Sequence, residues 1–377
     1  MKERRRFKNL FRRLDYVTVI IVTLLAIIGL IAIASSSKSA DGISRKILVQ
    51  AAAFVLGACL MIFMSFIDYE SYQDFIKPII IGSVGILLFT LIFGEGKEET
   101  GSNSWLRFGP VGIQPSELVK ISFAITFSTH LVNVKEDLNS LRTLSGLFGH
   151  FLLITIFVIL QNDTGTALVF TFMFLMMLFF AGLSYKYIFA GLGSFAVLAP
   201  VAWFFLLKPY QKNRFLTFLN PESDPLGNGY QVTQSKIAIG SGEFLGRGYL
   251  KGPQTQLSML PEKDTDFIFG VIGEEFGFLG TMLVLLLLMF LIVRILYISA
   301  QAKNDLGKFM CIGIASMLLF HTLENICMCI GLMPVTGIPL PFISYGGSSM
   351  ITNFAAIGLV MSIWSRRHTI NFGYEPF

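Results

Sequence analysis

Two carboxylates, Asp264 and Asp266, stand where a polar segment runs into the apolar Phe267-Ile268-Phe269. A carboxylate at such a boundary loses part of its hydration, which raises its pKa toward the range of a useful general base. The same pair offers hard oxygen ligands that suit magnesium or manganese. Helix capping is the ordinary alternative, with Thr265 or Asp266 at the N-cap of the apolar run. Spacing alone leaves these readings open.

A second group lies in Gln114-Pro115-Ser116-Glu117-Leu118-Val119-Lys120. Proline opens the helix, and Glu117 and Lys120 share one of its faces within apolar surroundings. Ionisable groups there face a bundle interior or a polar cavity. They form either a buried structural ion pair or a site where Lys120 meets an anionic headgroup and Glu117 orients it. Just upstream, Trp105 is an interfacial anchor or, beside the phosphate-matching fork of Arg107, a packing surface for lipid or sugar. Arg214 is the other candidate phosphate partner. Asp163, in Gln161-Asn162-Asp163-Thr164-Gly165, is adequately explained as a turn with an Asx cap. His321, Glu324 and Asn325 share part of a helix face and form a polar network or a proton path. The run Gly240 to Gly248 superficially resembles a nucleotide loop, but no strand precedes it. Its amides either cradle a diphosphate or make tight turns. There is no Walker loop, HExxH, paired CxxC or serine nucleophile elbow.

The elements that must position these residues are membrane spans. The chain has 377 residues, 54% hydrophobic and only 14% charged, so it has too little charge to cover a soluble surface. Its apolar residues come in blocks long enough to cross a bilayer. Spans are expected near 16–35, 47–67, 78–94, 116–133, 144–161, 165–182, 186–207, 277–299, 308–331 and 349–365. The first is too long for a cleaved signal peptide. The basic tail (1–15), with Lys2 to Arg13, and the basic Arg366-Arg367-His368 put both termini in the cytoplasm. The basic tail reads as a topology signal and not as a nucleic-acid arm. Lys303 and Lys308 agree with that orientation, whereas the acidic 68–77 loop does not. The loops at 95–115, 208–266 and 332–348 then lie outside, away from cytosolic nucleotides. Val232 to Ile239 has the pattern of a short interfacial helix. Pro334 to Ser349, uncharged with three prolines and three glycines, reads as a re-entrant loop buried against protein. Cys59, Cys311, Cys327 and Cys329 lack zinc-site spacing and read as buried free thiols.

Three motifs in order, Gln114 to Lys120, Leu260 to Phe269 and Pro334 to Ser349, resemble the SEDS family (shape, elongation, division, sporulation), and the resemblance runs over nearly the whole chain. Phe218 to Gly227 and Gln254 to Glu262 resemble the elongation-type members more than the division-type ones. The resemblance implies an all-α polytopic membrane protein, a single domain over 1–377 with about ten transmembrane helices and a large extracytoplasmic loop (208–276) between spans 7 and 8. It implies a peptidoglycan glycosyltransferase that joins lipid II, as donor, to a growing glycan chain, as acceptor. The expected partners are a class B penicillin-binding protein and other elongation-complex membrane proteins. The family's essential outer-loop aspartate falls on Asp266, its tryptophan and arginine on Trp105 and Arg107, and its intramembrane pair on Glu117 and Lys120. With Asp163, Arg214 and Ser344 these make the candidate substrate contacts. Three positions depart from the family pattern: Glu243 replaces a second glycine, Asp264 replaces histidine, and Gln161-Asn162-Asp163-Thr164-Gly165 replaces Gln-Pro-Asp-Leu-Gly. The Asp264 change weakens a DxD metal pair as a family requirement, although a divalent cation, magnesium or manganese, still suits a leaving diphosphate. Two competing readings remain. A flippase for the lipid-linked precursor needs a polar path across the whole bundle, and a non-enzymatic scaffold tolerates loss of the loop carboxylates.

Overall fold

The computed structural model describes residues 14–37, 44–96, 102–108, 111–206, 208–225 and 227–367; Lys2 to Arg13 and His368 lie outside these. The chain is a helical membrane bundle. In order it forms α1 (Tyr16–Ser36), α2 (Arg45–Phe66), α3 (Ile76–Phe93), a two-stranded hairpin of β1 (Leu106–Phe108) and β2 (Val111–Ile113), α4 (Pro115–Val134), α5 (Leu141–Leu160) and α6 (Thr164–Ala181). Then come α7 (Tyr185–Val201), α8 (Pro209–Leu219), α9 (Asn228–Ser241), α10 (Ile268–Ala300), α11 (Asp305–Cys329) and α12 (Gly347–Ser365). Among the described residues, nine helices are long and apolar enough to cross a membrane.

The remaining expected span is α4, whose 20 residues are diluted by polar side chains. Glu117, Lys120, Thr126, Ser128 and Thr129 are all buried, so the polarity faces protein and not lipid. The helices α11 and α12 are likewise mostly buried and form the centre of the bundle. Gly57 and Gly358 let α2 and α12 touch closely: a β-carbon at 358 would lie 2.6 Å from the Met61 carbonyl. By contrast, no described side chain of α7 is buried. Cys59 is exposed on the flank of the bundle and Cys327 is only half-buried, unlike the buried Cys311 and Cys329.

The span expected from 277 begins nine residues earlier, at Ile268, but Gly277 (φ 65, ψ −159) breaks it into two segments. A β-carbon there would meet the Gly246 amide at 2.3 Å, so only glycine fits the bend. The large loop therefore contains α8, α9, a single helical turn at Pro253–Gln256 and the buried first segment of α10.

At the end of the bundle that carries Asp15 and Arg366, two acids of the 68–77 loop are paired with neighbours. Asp68 pairs with Arg366 at 3.3 Å and Glu70 with Lys303 at 3.1 Å. Lys135 meets Asp305 at 2.6 Å, and Arg294 forks onto Asp15 with two 2.9 Å bonds. These contacts put the acidic loop on the same side as the basic Lys303 and Arg366, which removes its conflict with the topology.

Candidate active site

Asp266 sits just ahead of α10 and does not cap it; Phe267 is the N-cap, without a side-chain bond. The Asp266 carbonyl accepts from Asn325 Nδ2 at 2.8 Å and lies 3.5 Å from Cys329 Sγ, so α11 fixes its backbone. Its carboxylate faces the re-entrant loop, where a β-carbon at Gly337 would lie 3.3 Å from Oδ2. Burial pushes the carboxyl up to about 7; the Glu262 charge adds to this and Arg214 opposes it. A base of that strength is half-ionised near neutral pH and holds a proton well when it takes one.

The re-entrant loop forms as the sequence suggests. Met333 to Gly346 is free of helix, and Val335, Ile338, Leu340, Phe342 and Ile343 are buried. It dips along α1 as far as Gly29, where a β-carbon would lie 2.7 Å from Ile343 Cα. Gly29 is about two turns below the end of that helix, roughly 10 Å deep. Some polar ties on this loop hold the Asp266 segment directly, and others anchor the loop to α2 and α11. Ser344 donates to the Thr265 carbonyl at 2.6 Å and accepts from the Leu340 amide at 2.8 Å. The Tyr345 amide donates to the Asp264 carbonyl at 2.8 Å, and Asn325 also donates to the Ile338 carbonyl at 2.8 Å. Gln50, buried in α2, donates to the Ser344 carbonyl at 3.0 Å and accepts from the Gly346 amide at 3.1 Å. Asp264 turns away from Asp266 and pairs with Lys46 of α2. Ser344 and Asp264 thus appear in the geometry as clamps on the Asp266 segment.

Beneath lies a buried polar chain. Lys120 donates to Glu117 at 2.7 Å and to His321 Nε2 at 2.8 Å, leaving the His321 Nδ1 proton to face the Pro339 carbonyl at 3.4 Å. An ammonium has three donors, so one is left over after these two bonds. Glu324 bonds Thr336 of the loop and lies within the electrostatic reach of Asp266 and Arg214. His321, Glu324 and Asn325 do not bond one another; each holds a different partner, Lys120, Thr336 and the Asp266 and Ile338 carbonyls respectively.

Asp163 caps α6, accepting from the Thr166 amide at 3.0 Å and hydroxyl at 2.9 Å, and also takes Gln114 Nε2 at 2.8 Å. The structure gives it the cap role and a link to the start of α4. Gly165 beside it lets the loop approach, since a β-carbon there would lie 3.1 Å from the Thr336 carbonyl. The hairpin holds Trp105 half-buried, its ring over Gly112, with Arg107 exposed opposite. The Gln114 amide contacts Ser348 at 3.4 Å, which ties the hairpin to the mouth of the loop.

Arg214 lines a hollow with Thr217, Phe218, Val232, Lys236 and Pro334 among its walls. The Gly240–Gly248 run does not cradle an anion. Its Gly246, Arg247 and Gly248 amides are bonded to the carbonyls of Gly242, Glu274 and Glu275. The buried Glu274 carboxylate takes the Gln254 and Thr255 amides and the Thr255 hydroxyl, locking the loop to α10. Sequence reasoning missed this lock, and also missed Lys46, Gln50 and Thr336. Among the described residues no three His, Cys, Asp or Glu side chains gather as a metal site. With Asp264 turned to Lys46, the carboxylates left in reach of a cation beside Asp266 are its own, Glu262 and Glu324.

Residues 15–369 match the cell cycle protein family FTSW_RODA_SPOVE. The chain is 36% identical over 353 residues to the peptidoglycan glycosyltransferase MrdB of Escherichia coli K12, covering 94% of each. It is 33% identical over 426 residues to the peptidoglycan glycosyltransferase RodA of Treponema pallidum, covering 94% of this chain and 98% of the other. Among solved structures, it resembles a chain of a peptidoglycan synthase complex described for its structural coordination of polymerization and crosslinking. That TM-score is 0.78, with 28% identity and coverage of 93% of this chain and 97% of the other. The rod shape determining protein RodA of Thermus thermophilus gives 0.69, with 25% identity over 94% and 98%.

Proposed function

The chain belongs to the FTSW_RODA_SPOVE family of cell cycle proteins, and from that premise we propose that it is a peptidoglycan glycosyltransferase. It polymerises lipid II into β-1,4 glycan strands on the outer face of the cytoplasmic membrane during cell elongation, with both termini in the cytoplasm. The observation that carries this reading is the Asp266 carboxyl, fixed by α11 through its backbone, facing the loop at Gly337 and raised to about 7.

In the reaction, Asp266 takes the proton of the acceptor's 4-hydroxyl as that oxygen attacks the donor's anomeric carbon. The bond from that carbon to the undecaprenyl diphosphate breaks, and displacement inverts the configuration to β. The departing diphosphate carries the charge that develops, and Arg107, Arg214 and the remaining Lys120 donor are the cations suited to stabilise it. Trp105 offers a ring face for sugar or lipid at the rim. A magnesium or manganese ion would supply further charge there. With Asp266, Glu262 and Glu324 as the carboxylates nearby, it would draw the rest of its ligands from phosphate and water. Ser344 and Asp163 act by holding the loop and the start of α4 in register. The described side chains of α7 are all half-buried or exposed, which suits a face turned to lipid. A class B penicillin-binding protein and other elongation-complex membrane proteins are the expected partners.

Transport of the precursor is supported less well. The hydrogen-bonded chain from Lys120 ends at His321 and the Pro339 carbonyl, and among the described residues no bond carries it on to the buried Thr126, Ser128 and Thr129 of α4 or Ser316 of α11. The test is reconstitution in liposomes with labelled lipid II. Glycan strands without net headgroup transfer support the polymerase, whereas headgroup transfer without polymer supports the transporter.

A further inference from the structure

We propose that Gln50 and Lys46 of α2 are positioning residues for the transfer: they aim the Asp266 carboxylate by gripping the two chain segments that hold it. This rests on the glycosyltransferase reading and adds to it two residues that act through others.

A glutamine inside a membrane helix carries donors and acceptors that lipid cannot satisfy. Gln50 is fully buried, and it places both ends of its amide on one short stretch of chain. Nε2 donates to the Ser344 carbonyl at 3.0 Å, and Oε1 accepts from the Gly346 amide at 3.1 Å. That stretch closes the re-entrant loop, and Gly346 is the N-cap of α12. Lys46 lies one turn earlier on the same face of α2. It pairs with Asp264, and its ammonium stands 5.8 Å from the centre of the Tyr345 ring. Lys46 is half-exposed, and a pair of two such groups would be worth little. Its partner Asp264 is only 7% exposed, however, and a buried carboxylate depends on its cation.

The two gripped segments are also bonded to each other. The Ser344 hydroxyl donates to the Thr265 carbonyl at 2.6 Å, and the Tyr345 amide to the Asp264 carbonyl at 2.8 Å. Asp266 is the next residue. Further down the same face of α2, Ala53 would meet a β-carbon on Gly347 at 3.9 Å, and a β-carbon on Gly57 would lie 3.0 Å from the Phe354 ring. The grip therefore stands on the packed α2–α12 pair, and a shift at Asp264 or Ser344 passes directly to Asp266. A base misplaced by about 1 Å can lose roughly 100-fold in rate, whereas binding of a large substrate is spread over many contacts. Loss of the grip should thus appear in kcat and not in KM. It should also admit water to Asp266, whose carboxyl is raised to about 7 chiefly by burial. The charges acting there are Glu262 and Arg214, with Glu324 as neighbour, and a substitution at Gln50 alters none of them. Rehydration moves the carboxyl back toward 3.8, so the acid limb of kcat/KM moves to lower pH.

The test uses the full purified chain with Gln50→Met, Gln50→Glu, Lys46→Met and, as control, Lys303→Met, whose ion pair at the opposite end is equally exposed at 49%. Rates with lipid II are measured at matched folded fraction, together with amide hydrogen exchange over residues 263–269 and 343–347. Gln50→Met should lower kcat about 10- to 100-fold with KM within about twofold of wild type. Exchange at 264–266 should quicken about tenfold or more, and the acid limb should fall. Lys46→Met should act in the same direction, and being half-exposed it keeps the test open should Gln50→Met not fold. Protonated, Gln50→Glu offers one donor and one acceptor again and should recover most of kcat. Lys303→Met should match wild type. Unchanged kcat and exchange in Gln50→Met and Lys46→Met, or a change in KM alone, would overturn the proposal. A wild type that makes no glycan, with exchange at 264–266 still dependent on Gln50, would remove the polymerase reading and leave the grip standing. Exchange that ignores Gln50 would remove the grip whatever the activity.

Discussion

The raised Asp266 carboxyl makes the substitution Asp266→Asn informative in two opposite directions. Asparagine keeps the shape, and the contacts from Asn325 and Cys329 reach the backbone carbonyl, which the substitution leaves in place. Folding moves this carboxyl from 3.8 to about 7, chiefly by burial. At about 1.4 kcal/mol per pH unit, the ionised form then costs on the order of 4 kcal/mol of stability at pH values above 7. A carboxyl raised on folding favours the folded state only while protonated. Its cost is absent below the unfolded value, grows between about pH 4 and pH 7, and is constant beyond. Asp266→Asn should therefore be as stable as wild type near pH 4 and more stable by several kcal/mol at pH 8. Activity should go the other way. Wild-type kcat/KM should rise with pH to a plateau above about 7 as the base ionises, and the variant should lose about 100- to 10,000-fold. The assays are thermal unfolding in detergent across pH and initial rates with labelled lipid II. A wild-type rate that does not change across that range, with a variant destabilised at pH 8, would refute the reasoning.

Lys120→Met should cost about 3–5 kcal/mol, because it leaves the Glu117 carboxylate buried without its cation. The double variant Glu117→Gln/Lys120→Met should recover most of that in denaturation, and equal losses in single and double would contradict the pairing. Gly337→Ala places a methyl 3.3 Å from Asp266 Oδ2 at φ +81, a backbone strain of about 1 kcal/mol or more. It should lower kcat with little effect on KM, which steady-state kinetics against lipid II would check.

Much of the site was legible because its residues break the pattern of an apolar helix. An aspartate against Phe267-Ile268-Phe269, an ion pair within α4 and an uncharged proline-rich loop all contradict their surroundings, and contradiction is readable. Lys46 and Gln50 were not, because a lysine and a glutamine near the end of α2 look like an ordinary helix start. Their significance depends on Asp264 and Ser344, more than 200 residues away. The early start of α10 was hidden because Glu274 and Glu275 read as loop residues. Their charge is accommodated by bonds such as those from Thr255 that no local pattern reveals. The acidic 68–77 loop misled for the same reason, since its partners Lys303 and Arg366 come from distant segments.

The most direct test of the central claim is polymerisation of lipid II by the purified chain, with wild type and Asp266→Asn assayed side by side at matched folded fraction. The account predicts glycan strands from the wild type, with and without its penicillin-binding partner, and none from the variant. Strands of equal length and yield from both would contradict the assignment of Asp266 as the base.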